Sequence, residues 1–117
     1  MAVDLRIELE EIEKVVVLRL FGRIDAASCI VLERKINMLM VENHKQLALD
    51  LSSISYLSSA GLRVLLSASK KIQEKKGNLV LFSLNEEVEE IMKIAGFDRL
   101  LPIFVKEHEA LQFFKHD

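Results

Sequence analysis

The chain has 117 residues, half of them apolar and 29% charged, with 16 basic and 18 acidic side chains for a net charge of −2. That length fits one domain with a real core, and the charge balance argues against binding nucleic acid through phosphate contacts. One cysteine (Cys29) excludes an internal disulfide, and one cysteine with three scattered histidines (His44, His108, His116) makes no metal cluster.

No apolar run approaches the roughly 18 residues of a membrane span. The start, Met1-Ala2-Val3-Asp4-Leu5-Arg6, lacks a basic region followed by an apolar one, so no signal peptide is expected and the cytoplasm is the expected compartment.

Residues 5–12 alternate Leu5, Ile7 and Leu9 with Arg6, Glu8 and Glu10, the pattern of a strand with one wet face. Residues 15–21, Val15 through Phe21, read as a second strand that Gly22 ends. Only Glu11 to Lys14 separate the two, so an antiparallel hairpin is the economical connection. Asp25 then stands where a helix N-cap belongs, and a helix is expected from about Ala26 to Glu42 with Leu32, Ile36, Leu39 and Met40 on one face.

Leu47, Leu49 and Leu51 alternate through a third strand at 46–52. A helix follows from Ser59 to about Lys76, with Leu62, Leu65, Leu66, Ser69 and Ile72 at helical spacing and Gly77-Asn78 as its stop. Residues 79–84 read as a fourth strand. Asn85 opens a helix with acidic residues in its first turn, as the dipole prefers. Val88, Ile91, Met92 and Ala95 form its expected buried stripe, and Gly96 ends it. Ile103 to Val105 suit a short fifth strand, and Glu107 to His116 a last helix with Ala110, Leu111, Phe113 and Phe114 apolar.

The order β-β-α-β-α-β-α-β-α implies a mostly parallel sheet with right-handed crossovers. The third strand carries Ala48, Asp50 and Ser52 opposite its leucines. Strands buried on both faces read as continuous apolar runs, so helices are expected mainly on one face.

Ser58 and Ser59 sit where the period changes from 2 to 3.6. A serine there is either a simple cap or a place where a phosphate sits comfortably, because helix N-termini favour negative charge. Catalysis is disfavoured. The nucleophile elbow needs Gly-x-Ser-x-Gly, and Leu57 replaces its first glycine. No phosphate-wrapping glycine loop is present either. Local sequence favours Asp25 as a plain cap. If the second and third strands are parallel neighbours, however, Asp25 and Ser59 face each other at the carboxyl edge of the sheet, where sites collect.

Leu47 to Ser52, Ile54 to Leu57 and Ser58 to Leu66, with Gly22-Arg23-Ile24-Asp25 before them and Gly77 to Leu81 and Val88 to Gly96 after, resemble the STAS domain of bacterial anti-sigma factor antagonists. The resemblance spans nearly the whole chain and implies one STAS domain over residues 1–117. The family fold is a mixed sheet with helices mainly on one side.

The family role is a partner switch without catalysis or cofactor. The unphosphorylated protein binds an anti-sigma factor that is also a serine kinase, and so releases a sigma factor. Phosphorylation of a serine at the start of the second helix ends the complex, and a PP2C-type phosphatase resets it. The resemblance implies no direct nucleic-acid contact, no membrane insertion, and a monomer or weak dimer.

The family motif is Asp-Ser-Ser-Gly, and its first serine takes the phosphate. Aligned on Gly61, that serine is Ser59; Ser58 replaces the aspartate, which adds a rival acceptor, and Ala60 replaces the second serine. Asp25, Ser58, Ser59, Ala60, Gly61 and Arg63 then make up the implied partner-binding surface. The alternative is a constitutive STAS subunit of another assembly, such as a lipid-transport or chemosensory-like signalling complex, without phospho-switching.

Overall fold

The hairpin forms where the alternation places it. In the computed structural model, which describes residues 3–115, β1 (Leu5–Ile12) pairs antiparallel with β2 (Val15–Ile24), from Leu5 opposite Gly22 to Ile12 opposite Val15. Met1, Ala2, His116 and Asp117 lie outside the described residues, and with them the first residues of the chain start and the expected end of the last helix. Glu13 and Lys14 alone form the turn, at φ +49° and +73°, the two left-handed residues that a type I′ loop requires.

From β2 onward the chain alternates: α1 (Ser28–Val41), β3 (Gln46–Leu57), α2 (Ser59–Glu74), β4 (Asn78–Phe82), α3 (Glu86–Ile94), a 3-10 turn at Phe97–Arg99, β5 (Ile103–Phe104) and α4 (Glu107–Lys115). The strands lie in the order β1-β2-β3-β4-β5, and every pairing after the hairpin is parallel. The fold is thus the expected α/β domain with a five-stranded mixed sheet.

One face of the sheet, with Leu18, Leu20, Leu47, Leu49, Leu51 and Leu81, packs on α1, α2 and α3 through Leu32, Ile36, Leu65, Ile72, Val88 and Met92. The other face, with Val15, Val17, Ala48, Val80 and Phe82, packs on Ala110, Leu111, Phe113 and Phe114 of α4. The alternation in β3 therefore reports both faces correctly, and three helices share the larger one. Among the described residues, no helix is long and apolar enough to cross a membrane.

Several boundaries depart from expectation. Gly22 does not end β2. It sits inside the strand at φ +116°, where a Cβ would run into the Asp4 carbonyl, so glycine is there for a bulge and a close backbone approach. β3 runs on to Leu57, five residues past the expected end, held by β2 across register shifts between Arg19 and Phe21 and between Gly22 and Arg23. After the shifts the buried positions are Leu51, Ile54 and Leu57, three apart instead of two. β4 stops at Phe82, where Ser83 turns to φ +60°. In α3, Val88 and Met92 are buried as expected, but Ile91 and Ala95 are exposed, because α3 touches the sheet by a narrower stripe. The ends of α1 and α2 are closed by left-handed Asn43 and Lys76, with His44 N–H donating to the Leu39 carbonyl and Gly77 N–H to that of Ile72.

Candidate functional site

β2 and β3 finish side by side. Ile24 is opposite Leu57, and the Ser58 N–H donates to the Ile24 carbonyl at 2.8 Å. Asp25 and Ser58 therefore leave the same carboxyl edge of the sheet on neighbouring strands, as the parallel arrangement predicts. Gly61 lets α2 close on this edge. A Cβ at that position would lie 2.7 Å from Ile24 Cγ2, 2.8 Å from Leu57 Cδ1 and 3.2 Å from the Ile24 carbonyl. Gly61→Ala is expected to lower stability by about 1–3 kcal/mol, the usual cost of forcing a methyl into packed surroundings. Chemical denaturation measures it, and an unchanged midpoint would show that the helix start shifts freely.

The two serines have different situations. Ser58 is the N-cap of α2: its backbone is extended, its Oγ accepts the Gly61 N–H at 3.1 Å, and it is half-buried. Ser59 is the first helical residue, it is exposed, and its hydroxyl has no hydrogen-bond partner among the described residues. The capping task open to either serine thus falls to Ser58. Ala60 is half-buried against the core, and Arg63 stands exposed one turn along from Ser59. The first turn of α2 carries no acidic residue, unlike that of α3 with Glu86, Glu87 and Glu89. The positive end of the α2 dipole is left without a compensating carboxylate on its own helix.

Asp25 caps α1 although the helix is regular only from Ser28, two residues later than expected. Its Oδ1 accepts the Ala27 N–H at 3.1 Å and the Ser28 N–H at 2.9 Å, and its carbonyl accepts the Cys29 N–H at 2.9 Å. The Ser28 N–H holds the Asp25 carboxyl below the usual range; a desolvation effect opposes it, and the Ala27 N–H and the charge of Arg23 add to the lowering, whereas the one proton of the Ser28 hydroxyl goes to the Arg23 carbonyl. Arg23 itself lies over the Tyr56 ring at 4.4 Å from its centroid. Cap and surface residue are therefore not exclusive roles for Asp25. No hydrogen bond joins it to Ser58 or Ser59 among the described residues.

Two residues were not assigned to the site by sequence: Asn85, read only as the start of a helix, and Ser28. Asn85 caps α3 by accepting the Val88 N–H at 2.8 Å, while its Nδ2 donates to the Ile54 carbonyl at 2.9 Å. This ties a third helix start to the far end of β3. Ser28, wholly buried, closes the turn behind Asp25. Its signal was present as Asp-x-x-Ser, the spacing of a capping box. The arrangement offers a surface with a free hydroxyl at a positively polarised helix end. Among the described residues no group of three or more His, Cys, Asp or Glu side chains is placed to hold a metal.

The model of the STAS domain matches residues 6–110. BtrV of Bordetella bronchiseptica, named as a candidate anti-sigma factor antagonist, is 30% identical over 111 residues that cover 95% of this chain and 96% of that one. RsfB of Mycobacterium tuberculosis, named an anti-sigma-F factor antagonist, is 32% identical over 99 residues, covering 83% and 79%. Among solved structures, an anti-sigma factor antagonist of Mycobacterium paratuberculosis superimposes with a TM-score of 0.84 at 23% identity, covering 92% of each chain. The Bacillus cell fate determinant SpoIIAA in its phosphorylated form does so with a TM-score of 0.72 at 19% identity, covering 93% of this chain and 99% of that one. With the family match running through every strand and every helix of the sheet's larger face, the chain belongs to the STAS domain family.

Proposed function

We propose that this protein is an anti-sigma factor antagonist that binds an anti-sigma factor with serine kinase activity, and that phosphorylation of Ser59 ends the binding. A PP2C-type phosphatase restores it, and the protein itself catalyses nothing. The observation that carries this reading is the contrast at the start of α2: the Ser58 oxygen is committed to the Gly61 N–H, and the Ser59 hydroxyl is exposed and uncommitted. The names of the relatives support the partner class, and the phosphorylated form of SpoIIAA supports the modification class.

The physics of the switch is local. A phosphoserine carries about −1.5 to −2 charges at neutral pH. The helix end receives that charge at little cost to the domain. At an interface fitted to a neutral hydroxyl the same charge brings desolvation and repulsion, so the fold is kept and the complex is lost.

Fragment mass analysis of the protein taken from its own cells tests the reading. A phosphate on Ser59 is the expected result. A phosphate on Ser58 moves the switch by one residue, and its absence under many growth conditions sinks the switch in favour of a constitutive STAS subunit.

A further inference from the structure

Ser28 is a polar residue at 0% exposure on a helix whose other buried positions, apart from it, are apolar or cysteine. Ser28 is the first residue of α1, and at a helix start a serine hydroxyl can bond the backbone of the preceding turn. Here the hydroxyl is fully used. It donates to the Arg23 carbonyl at 2.7 Å and accepts the Asp25 N–H at 2.8 Å, while the Ser28 N–H donates to Asp25 Oδ1 at 2.9 Å. Asp25 and Ser28 thus cap each other reciprocally. The extra bond to Arg23 ties the pair to the last residues of β2. One side chain closes the turn from Arg23 to Ser28 and holds Asp25 at both its N–H and, through the turn, its carboxylate.

We propose that Ser28 is the positioning residue for Asp25: buried and out of a partner's reach, it fixes the direction in which the Asp25 carboxylate faces the binding edge beside Ser58 and Ser59. The inference rests on the binding role given to Asp25 above. Removing the hydroxyl leaves the Asp25 N–H and the Arg23 carbonyl without their partner in a partly buried turn, and the turn opens to rehydrate them. Asp25 then keeps its chemistry and loses its aim.

The test uses the full chain with Ser28→Ala, Ser28→Thr, Asp25→Ala and the Ser28→Ala/Asp25→Ala pair, each first shown to be folded by thermal melting. The Asp25 carboxyl is titrated by carbon-13 NMR in the variants that keep it. Binding is measured to the kinase-type anti-sigma factor retrieved with the tagged wild-type chain from its own cells. Ser28→Ala is expected to move the Asp25 titration up toward an ordinary aspartate, and Ser28→Thr to restore it. Ser28→Ala is also expected to weaken binding about tenfold when Asp25 is present and less than about twofold when it is absent.

An Asp25 titration unmoved by Ser28→Ala overturns the inference, as does equal weakening with and without Asp25, which marks a purely structural role. If Ser28→Ala melts too low to titrate, Ser28→Cys, of similar size and with a weaker donor, carries the same readouts. A wild-type chain that retrieves no such anti-sigma factor overturns the proposed function, whereas the titration reads the hold of Ser28 on Asp25 independently.

Discussion

Ser59→Asp is expected to weaken binding to the anti-sigma factor by roughly 100-fold, about 1.4 kcal/mol for each factor of ten, while leaving the fold intact. The two halves of that expectation have opposite signs for one reason. A carboxylate in the first turn of α2 meets free N–H groups and no other acidic residue, which stabilises the isolated domain by about 0.3–1 kcal/mol. In a complex, the same charge displaces water and faces a surface shaped for a hydroxyl. Calorimetric titration gives the affinity, and a urea melt of the same sample gives the stability. A loss of affinity together with a loss of stability would mean simple damage.

Ser58→Asp is the matched control for stability. Aspartate is as good an N-cap as serine, so the bond from Gly61 N–H survives and the urea midpoint is expected to change little. Ser59→Ala should bind like the unmodified chain and become insensitive to the kinase. Ser59→Asp binding within about threefold of wild type, far less than a buried charge mismatch costs, would remove Ser59 as the control point.

The sequence made the element order and the main faces legible because β1, the first part of β3 and the helices each keep one period over their length. The leucines at 47, 49 and 51 and the stripe Leu32, Ile36, Leu39 and Met40 are all buried as their spacing implies. It failed where the period changes inside an element. The two register shifts, before Phe21 and after Gly22, each put one extra residue into β3, so Ile54 and Leu57 fall out of the alternation and the strand looks finished at Ser52. Ile91 and Ala95 were misplaced because helical spacing says which side is apolar and not how wide a stripe the sheet covers. At the site, the junction, the parallel edge and the cap at Asp25 were all readable. Which serine caps was not, since Ser58 and Ser59 are equally good caps by residue type and only the register of β3 against Ile24 decides. The largest feature missed altogether is a cluster of charges drawn from four separate elements.

That cluster carries the second large expectation. Arg19 on β2 donates to Asp50 on β3 at 3.0 Å, to Glu10 on β1 at 2.9 Å, and with two nitrogens to Glu107 at the start of α4 at 2.7 and 3.2 Å. The Arg19 side chain is 21% exposed and that of Asp50 14%. Glu107 lies 88 residues from Arg19 in the chain, so this is the polar anchor that sets α4 on the second face of the sheet. Arg19→Leu leaves three carboxylates without their common cation. Breaking a fully buried pair costs about 3–5 kcal/mol, and because the Glu107 and Glu10 side chains are 39% and 55% exposed, water screens the cluster and the expected loss here is about 1–2 kcal/mol.

The pH dependence gives the discriminating readout. Burial pushes the Asp50 carboxyl up, but the Ser52 hydroxyl and N–H and the Arg19 guanidinium together outweigh it and hold the group below its ordinary range. A depressed carboxyl contributes stability above its unfolded pKa of about 3.9. That contribution disappears as pH falls through the lower folded value. Glu107 is the largest cause that raises the Arg19 pKa, with burial opposing it and Glu10 and Asp50 adding to it, so Arg19 stays charged throughout.

Wild type should therefore lose stability steeply below about pH 4, and Arg19→Leu, with the guanidinium gone, should start lower and fall less steeply over the same window. Urea melts from pH 6 to pH 3 measure both slopes. Amide exchange should show α4 released first in the variant, with the α2 amides still protected. Equal acid slopes in the two proteins, or uniform loss of protection, would mean that packing of Phe113 and Phe114 alone holds α4 in place.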